Sequence, residues 1–98
     1  MIRHILLIKF NNSATPAQIK QLQKAFESIS NKIEGIISVE WGLNNSPEGK
    51  NNGYTHSVLM TFADNAAHER YLPHPEHVAL QLLFHPILDD IVVFDYQL

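Results

Sequence analysis

The sequence predicts an α+β fold: one four-stranded antiparallel sheet with helices on one face, in the order β-α-β-β-α-β. Three observations predict it. Four segments alternate with the two-residue period of strands. Helical stretches fall between the first and second of them and between the third and fourth. The strands also stay apolar on the face that those helices cannot cover.

The first strand is Ile2–Phe10, with Ile2, His4, Leu6, Ile8 and Phe10 on one face and Arg3, Ile5, Leu7 and Lys9 on the other. Asn11–Ala14 is a loop. Thr15-Pro16-Ala17-Gln18 opens a helix: Thr15 suits the N-cap, Pro16 the first position, and Gln18 closes a capping box. Ile19, Leu22, Phe26, Ile29 and Ile33 follow at spacings of 3, 4, 3 and 4, one apolar helical stripe. Gly35 is the expected stop.

Ile36–Leu43 is the second strand, with Ile37, Val39, Trp41 and Leu43 on one face and Ile36, Ser38 and Glu40 on the other. Asn44–Gly53 is a polar hairpin loop, and Tyr54–Phe62 the third strand, with Tyr54, His56, Val58, Met60 and Phe62 on one face. Asp64 caps a short helix to about Tyr71, which Pro73 and Pro75 interrupt; a second helical segment runs from Glu76 to about Phe84, and Pro86 starts a further turn. Ile91–Tyr96 is the last strand, with Ile91, Val93 and Asp95 on one face. This is the split βαβ, ferredoxin-like order. The uncovered face carries Ile5, Leu7, Ile36, Leu59, Val92 and Phe94, too much apolar surface to leave wet. The expected remedy is a homodimer joined through the open sheet face.

The 98 residues fit a single domain spanning 1–98. Net charge is −3 and the seven Lys and Arg are scattered, so no basic patch exists to track phosphates and nucleic acid is not an expected partner. There is no cysteine, which excludes disulfides, thiol nucleophiles and Cys-based zinc sites and fits a reducing, cytoplasmic location. Ile2–Phe10 is too short to span a bilayer and lacks a signal-peptide cleavage region. No membrane association is expected, and the chain is expected to begin directly with structure.

The stretch Tyr71-Leu72-Pro73-His74-Pro75-Glu76-His77 puts a phenol and two imidazoles within seven residues, braced by two prolines. In a helix begun at Pro75, His77 lies about one turn on from His74. His4 and His56 fall on the helix-facing side of the first and third strands, neighbours in this topology, where they form either a cross-strand pair or two structural histidines. Asp95 shares a face with Ile91 and Val93; it either orients a histidine or sits at the strand end in water. His74 reads equally as an exposed helix-start residue, and Tyr71 as a half-buried aromatic. His68, beside Glu69 and Arg70, reads as part of a solvated helix face, and His85 as part of a chain break. His74 and His77 make an H-x-x-H spacing with Glu76 between them; alone it is a weak metal pattern, and no metal is expected.

These residues resemble a known family, the stress-responsive dimeric α/β-barrel (Dabb) domain. The resemblance covers essentially the whole chain. It rests on Arg3–Phe10, Trp41-Gly42, Gly53-Tyr54-Thr55-His56, Tyr71–Val78 and the closing Val93-Phe94-Asp95-Tyr96. It implies a ferredoxin-like fold and a dimer whose sheets form a barrel. Within that family the chain is similar to a plant polyketide cyclase that works by aldol condensation without a cofactor. The resemblance assigns Tyr71 and His77 as catalytic, and His4, His56, His74 and Asp95 as substrate-binding. Phe26 and Leu88 match pocket-lining positions but depart from that relative's tyrosine and tryptophan. The implied chemistry is acid–base catalysis on a small hydrophobic carbonyl compound, with His77 as base and Tyr71 as oxyanion donor. A non-catalytic, ligand-binding or stress-related dimer is the alternative, and a metal-binding histidine cluster a third reading.

Overall fold

The computed structural model describes residues 1–98. Its elements are β1 (Ile2–Phe10), α1 (Pro16–Ser28), β2 (Ile36–Leu43), β3 (His56–Phe62), α2 (Asn65–Tyr71), α3 (Pro75–Phe84) and β4 (Leu88–Gln97), with 3₁₀ turns at Ile29–Asn31 and His85–Ile87. The strands form one sheet in the order β2-β3-β1-β4, and every neighbouring pair is antiparallel. The ferredoxin-like arrangement expected from the sequence is therefore the observed one.

The capping box forms as expected: the Gln18 N–H donates to the Thr15 hydroxyl at 3.2 Å, and the Thr15 N–H donates to the Gln18 side-chain carbonyl at 3.0 Å. The helix does not run to Gly35. It ends at Ser28 and tightens into the 3₁₀ turn, where the N–H groups of Lys32 and Ile33 both bond the Ile29 carbonyl. The apolar stripe survives the change, because Leu22, Phe26, Ile29 and Ile33 are all buried. Gly35 takes φ +95°, and its α-carbon faces the Ala67 methyl so closely that an added Cβ would lie 2.5 Å from it. A left-handed backbone and a close helix approach are thus met by one residue without a side chain.

The second strand departs from strict alternation. Ile36 pairs with Phe62 while Ser38 pairs with Thr61, so Ile37 is the extra residue of a β-bulge. The bulge resets the period, and Ile36 points into the core rather than onto the open face. The third strand starts at His56 rather than Tyr54, and the fourth starts at Leu88, three residues earlier than its apolar run suggests. That early start follows from pairing, since Leu88 lies opposite Phe10 across an irregularity at Lys9–Phe10.

The core lies between the sheet and the helices. Ile2, Leu6, Ile8, Val58, Met60 and Phe62 meet Leu22, Phe26, Ala67, Tyr71, Leu80 and Phe84, all buried. Each large side chain so placed contributes about 1.5–3 kcal/mol of transfer free energy, largely offset by conformational entropy. On the opposite face Ile5 and Leu59 are only half-buried, and Leu7, Val92 and Phe94 are exposed, Phe94 at 60%. No helix is long and apolar enough to cross a membrane.

Candidate active site

A cavity of about 250 Å³ opens between the β1–β4 half of the sheet and the helices α2 and α3. Leu6, Phe26, Leu80, Phe84, Leu88 and Ile91 give it apolar walls, and His4, Tyr71, His77, Gln81 and His85 add the polar groups. An apolar concavity with a few convergent polar groups is the usual form of a small-molecule site.

Tyr71 and His77 belong to different helices. Asp64 starts α2 by accepting from the Ala67 N–H at 2.8 Å, so Ala67 and Tyr71, four residues apart, both turn into the core. Pro75 starts α3, and His74 caps it: extended at φ −63° and ψ 135°, it accepts the Glu76 N–H on Nδ1 at 3.1 Å. His77 then stands in the first turn of α3 with its ring 4.2 Å from that of Tyr71, centroid to centroid. Its Nδ1 lies 2.9 Å from the Leu72 carbonyl oxygen. A carbonyl only accepts, so Nδ1 carries the proton and Nε2 keeps its lone pair in the neutral ring. Burial pushes the Tyr71 phenol well above its ordinary range, so it stays protonated as a hydrogen-bond donor.

His4 and Asp95 lie directly opposite each other on β1 and β4, and His4 Nδ1 is 2.6 Å from Asp95 Oδ1. His4 is 6% exposed. Desolvation lowers its pKa, outweighing the hydrogen bond and charge of Asp95, which raise it. Against an ionised carboxylate Nδ1 is the donor, so Nε2 again carries the lone pair. The other carboxylate oxygen, Oδ2, lies 3.8 Å from His68 Nε2, which is buried without a hydrogen-bond partner.

The residues singled out in the sequence separate into two groups. His4, Tyr71, His77, Phe26 and Leu88 line the cavity, and Asp95 stands behind His4. His56 and His74 do not line it. Antiparallel pairing puts Met60 opposite His4 and places His56 opposite Ile8, so the two histidines sit at opposite ends of the face, roughly 13 Å apart along the strand. They are not a cross-strand pair. His56 instead packs against Phe10 and Trp41, at ring distances of 5.0 and 5.5 Å, and its Nδ1 is 2.7 Å from the Thr55 hydroxyl. Burial holds its pKa below the ordinary value. His74 serves the backbone as a helix cap.

Two further histidines, which the sequence places in a solvated helix face and a chain break, lie at the site. His85 lines the cavity at the 3₁₀ turn, and His68 meets the His4–Asp95 pair with its ring 5.1 Å from that of His4. The signal for His68 was the helix phase: with Asp64 as cap, His68 lies one turn before Tyr71 and on the same side.

Fold and site define a class: a small ferredoxin-like α+β domain with a histidine–tyrosine pocket between sheet and helices. The chain belongs to the stress-responsive A/B barrel domain family, whose model matches residues 2–98. It is 34% identical to the stress-response A/B barrel domain-containing protein HS1 of Arabidopsis thaliana, covering 98% of this chain and 88% of that one. It is 30% identical to olivetolic acid cyclase of Cannabis sativa, covering 97% and 94%. Among solved structures it resembles a dimeric ferredoxin-like protein of unknown function from Thermobifida fusca, with a TM-score of 0.84 and 26% identity over 99% of this chain and 90% of that one.

Proposed function

We propose that this protein is a cofactor-free acid–base enzyme that cyclises a small hydrophobic polyketide-like carbonyl compound by aldol condensation. The observation that carries the reading is the Tyr71–His77 pair at the wall of an apolar cavity, with a protonated phenol beside an imidazole whose Nε2 lone pair is free. His77 Nε2 removes a proton α to a carbonyl, and the Tyr71 hydroxyl donates to the enolate oxygen that forms. The enolate carbon attacks a second carbonyl of the same chain; that C–C bond closes the ring, and the alkoxide takes back the proton His77 removed. Loss of water then makes the ring unsaturated. A placed base contributes ~10²–10⁴-fold, and an oxyanion donor about 10²–10³-fold.

His4, held by Asp95, presents a second imidazole to the cavity for a substrate hydroxyl or carbonyl. The similarity to olivetolic acid cyclase supports the reaction class. The volume of about 250 Å³ favours a compact substrate, since it lies below the ~300–1,000 Å³ common for ligand pockets. His56 and His74 have structural parts here, bracing the far end of the sheet and capping α3.

The half-exposed apolar face of Ile5, Leu7, Leu59, Val92 and Phe94 supports a homodimer through that face, in keeping with the dimeric Thermobifida relative. The cysteine-free chain fits a reducing cytoplasm. The similarity to HS1 favours a second reading, a non-catalytic stress-related dimer that binds small apolar ligands in the same cavity.

The test is turnover of linear tri- and tetraketide esters, with product detected by mass spectrometry. Cyclised product that disappears with His77→Gln and Tyr71→Phe, both folded, supports catalysis. Saturable ligand binding with no turnover by the wild type supports the second reading and ends the first.

A further inference from the structure

Outside the Tyr71–His77 pair, one cluster of titratable groups joins His4 and Asp95 to His68, for which that mechanism has no role. His4 from β1, His68 from α2 and Asp95 from β4 each bring a ligand atom into one cluster, and those atoms all lie within 4.8 Å of one another. Two imidazoles and one carboxylate are a ligand set that zinc and its neighbours in the first transition series take, with further positions left open.

The spacing suits one ion. Donors around a four-coordinate ion at ~2.0–2.1 Å stand roughly 3.3 Å apart. Asp95 has one oxygen 2.6 Å from His4 Nδ1 and the other 3.8 Å from His68 Nε2, one contact on each side of that value. His68 supplies the second observation. Its Nε2 is buried, its side chain is 17% exposed, and it has no hydrogen-bond partner. An orphaned buried polar atom destabilises the fold unless it is paired, and 3.8 Å to a carboxylate does not satisfy it.

We propose that His4 Nδ1, His68 Nε2 and an Asp95 carboxylate oxygen form a binding site for a single divalent transition-metal ion of the zinc class. Asp95 is 37% exposed at its side chain, which leaves the ion a path from solvent. His4 lines the cavity, and neither His68 nor Asp95 does, so the ion sits behind the cavity wall. Loading has one consequence for that wall. Without metal, Nδ1 of His4 donates to Asp95 and Nε2 is an acceptor. With metal on Nδ1 the proton moves to Nε2, and the imidazole presents a donor to the cavity. No net proton is released in that exchange, because the ring stays neutral.

The proposal is independent of any reaction and is tested without a substrate. Protein purified without a histidine tag and stripped with chelator is titrated with Co²⁺ and with Zn²⁺. The expected results are one equivalent per chain, visible Co²⁺ d–d absorption that Zn²⁺ abolishes, and at least the roughly 10- to 100-fold loss of affinity that even a ligand's supporting groups are worth in His68→Gln and in Asp95→Asn. His77→Gln and His85→Gln should bind as the wild type does. Long-range ¹H–¹⁵N spectra of the unaltered protein should show Zn²⁺ moving the His4 proton from Nδ1 to Nε2, a readout that needs no variant to fold. No binding in several-fold excess of metal, binding unchanged by His68→Gln, or binding lost in His77→Gln each overturns the site.

Discussion

Tyr71 and His77 stand with their ring centroids 4.2 Å apart although Leu72, Pro73, His74, Pro75 and Glu76 separate them in the chain. Two proline-marked helix boundaries produce the contact. The first helix ends at Tyr71 and the second begins at Pro75, so the phenol at one end meets the imidazole at the other start. The Tyr71 ring is fully buried, yet its hydroxyl bonds no protein group.

That arrangement separates stability from activity. Tyr71→Phe keeps the packed ring and removes an oxygen with no protein partner, so unfolding free energy should change by less than about 1 kcal/mol. Turnover should fall about 10²–10³-fold, the worth of a preorganised oxyanion donor. Urea denaturation read beside single-turnover rates checks both, and equal losses in stability and rate would count against the role.

Cavity shape should set chain length. Leu88 is half-buried on the wall, whereas Phe26 is 1% exposed and packs on Phe84 at a ring distance of 5.8 Å. Leu88→Ala should cost about 1–2 kcal/mol and shift preference toward longer acyl chains. Phe26→Ala should cost about 3–5 kcal/mol, with unfolding dominating any gain in room. Calorimetry and a substrate-length series distinguish the two variants.

Acid should weaken the fold through the buried histidines. Desolvation lowers the pKa of both His4 and His56 below the free value of 6.5. The unfolded chain therefore binds more protons than the folded one, and stability rises with pH in that window. It is fully present above 6.5, falls as pH drops through 6.5, and levels off only below the folded-state values. The urea midpoint should be lower at about pH 5.5 than at about pH 7.5. His4→Gln should flatten the slope even though it lowers stability throughout.

Gly35 is the joint on which α2 seats. Gly35→Ala would force a side chain at φ +95° and place a methyl 2.5 Å from Ala67. The expected loss is at least about 2 kcal/mol, with Tyr71 displaced along with its helix. Thermal unfolding and tyrosine fluorescence report the two effects separately, and a variant as stable as the wild type would show that the helix can shift freely.

The open face should govern assembly. Phe94 and Leu7 lie on adjoining strands and are 60% and 39% exposed. Charges there would be buried unpaired in a sheet-on-sheet dimer. Leu7→Asp with Phe94→Asp should give a folded monomer by light scattering, and the unaltered protein a dimer; a monomeric wild type would sink the interface.

Much of this was legible along the chain, because its signals are local. Thr15, Pro16, Asp64 and Pro75 mark helix starts through their own backbone chemistry, and the two-residue alternation of β1 and β4 fixes which side chains share a face. The stretch that holds Tyr71 and His77 stood out for the same reason, its groups lying across one short break, and the resemblance singled out the two that meet. Ile36 was not, because a bulge is a decision between two strands and resets a period that one strand cannot reveal. His68 was not, because polar neighbours masked a helix phase that only packing against His4 makes visible.

The sequence by itself determined the element order, the caps and the two-faced sheet, all products of spacing within a segment; it marked the Tyr71–His77 stretch, and the family resemblance made a pair of it. The tertiary structure alone decided register. Pairing His4 with Asp95 and with Met60 rather than with His56 kept His4 at the cavity and sent His56 to the far end of the face. It also set His68 against Asp95. Side chains distant in sequence meet only when strands choose their alignment, and that choice is made by burying the whole of one sheet face at once.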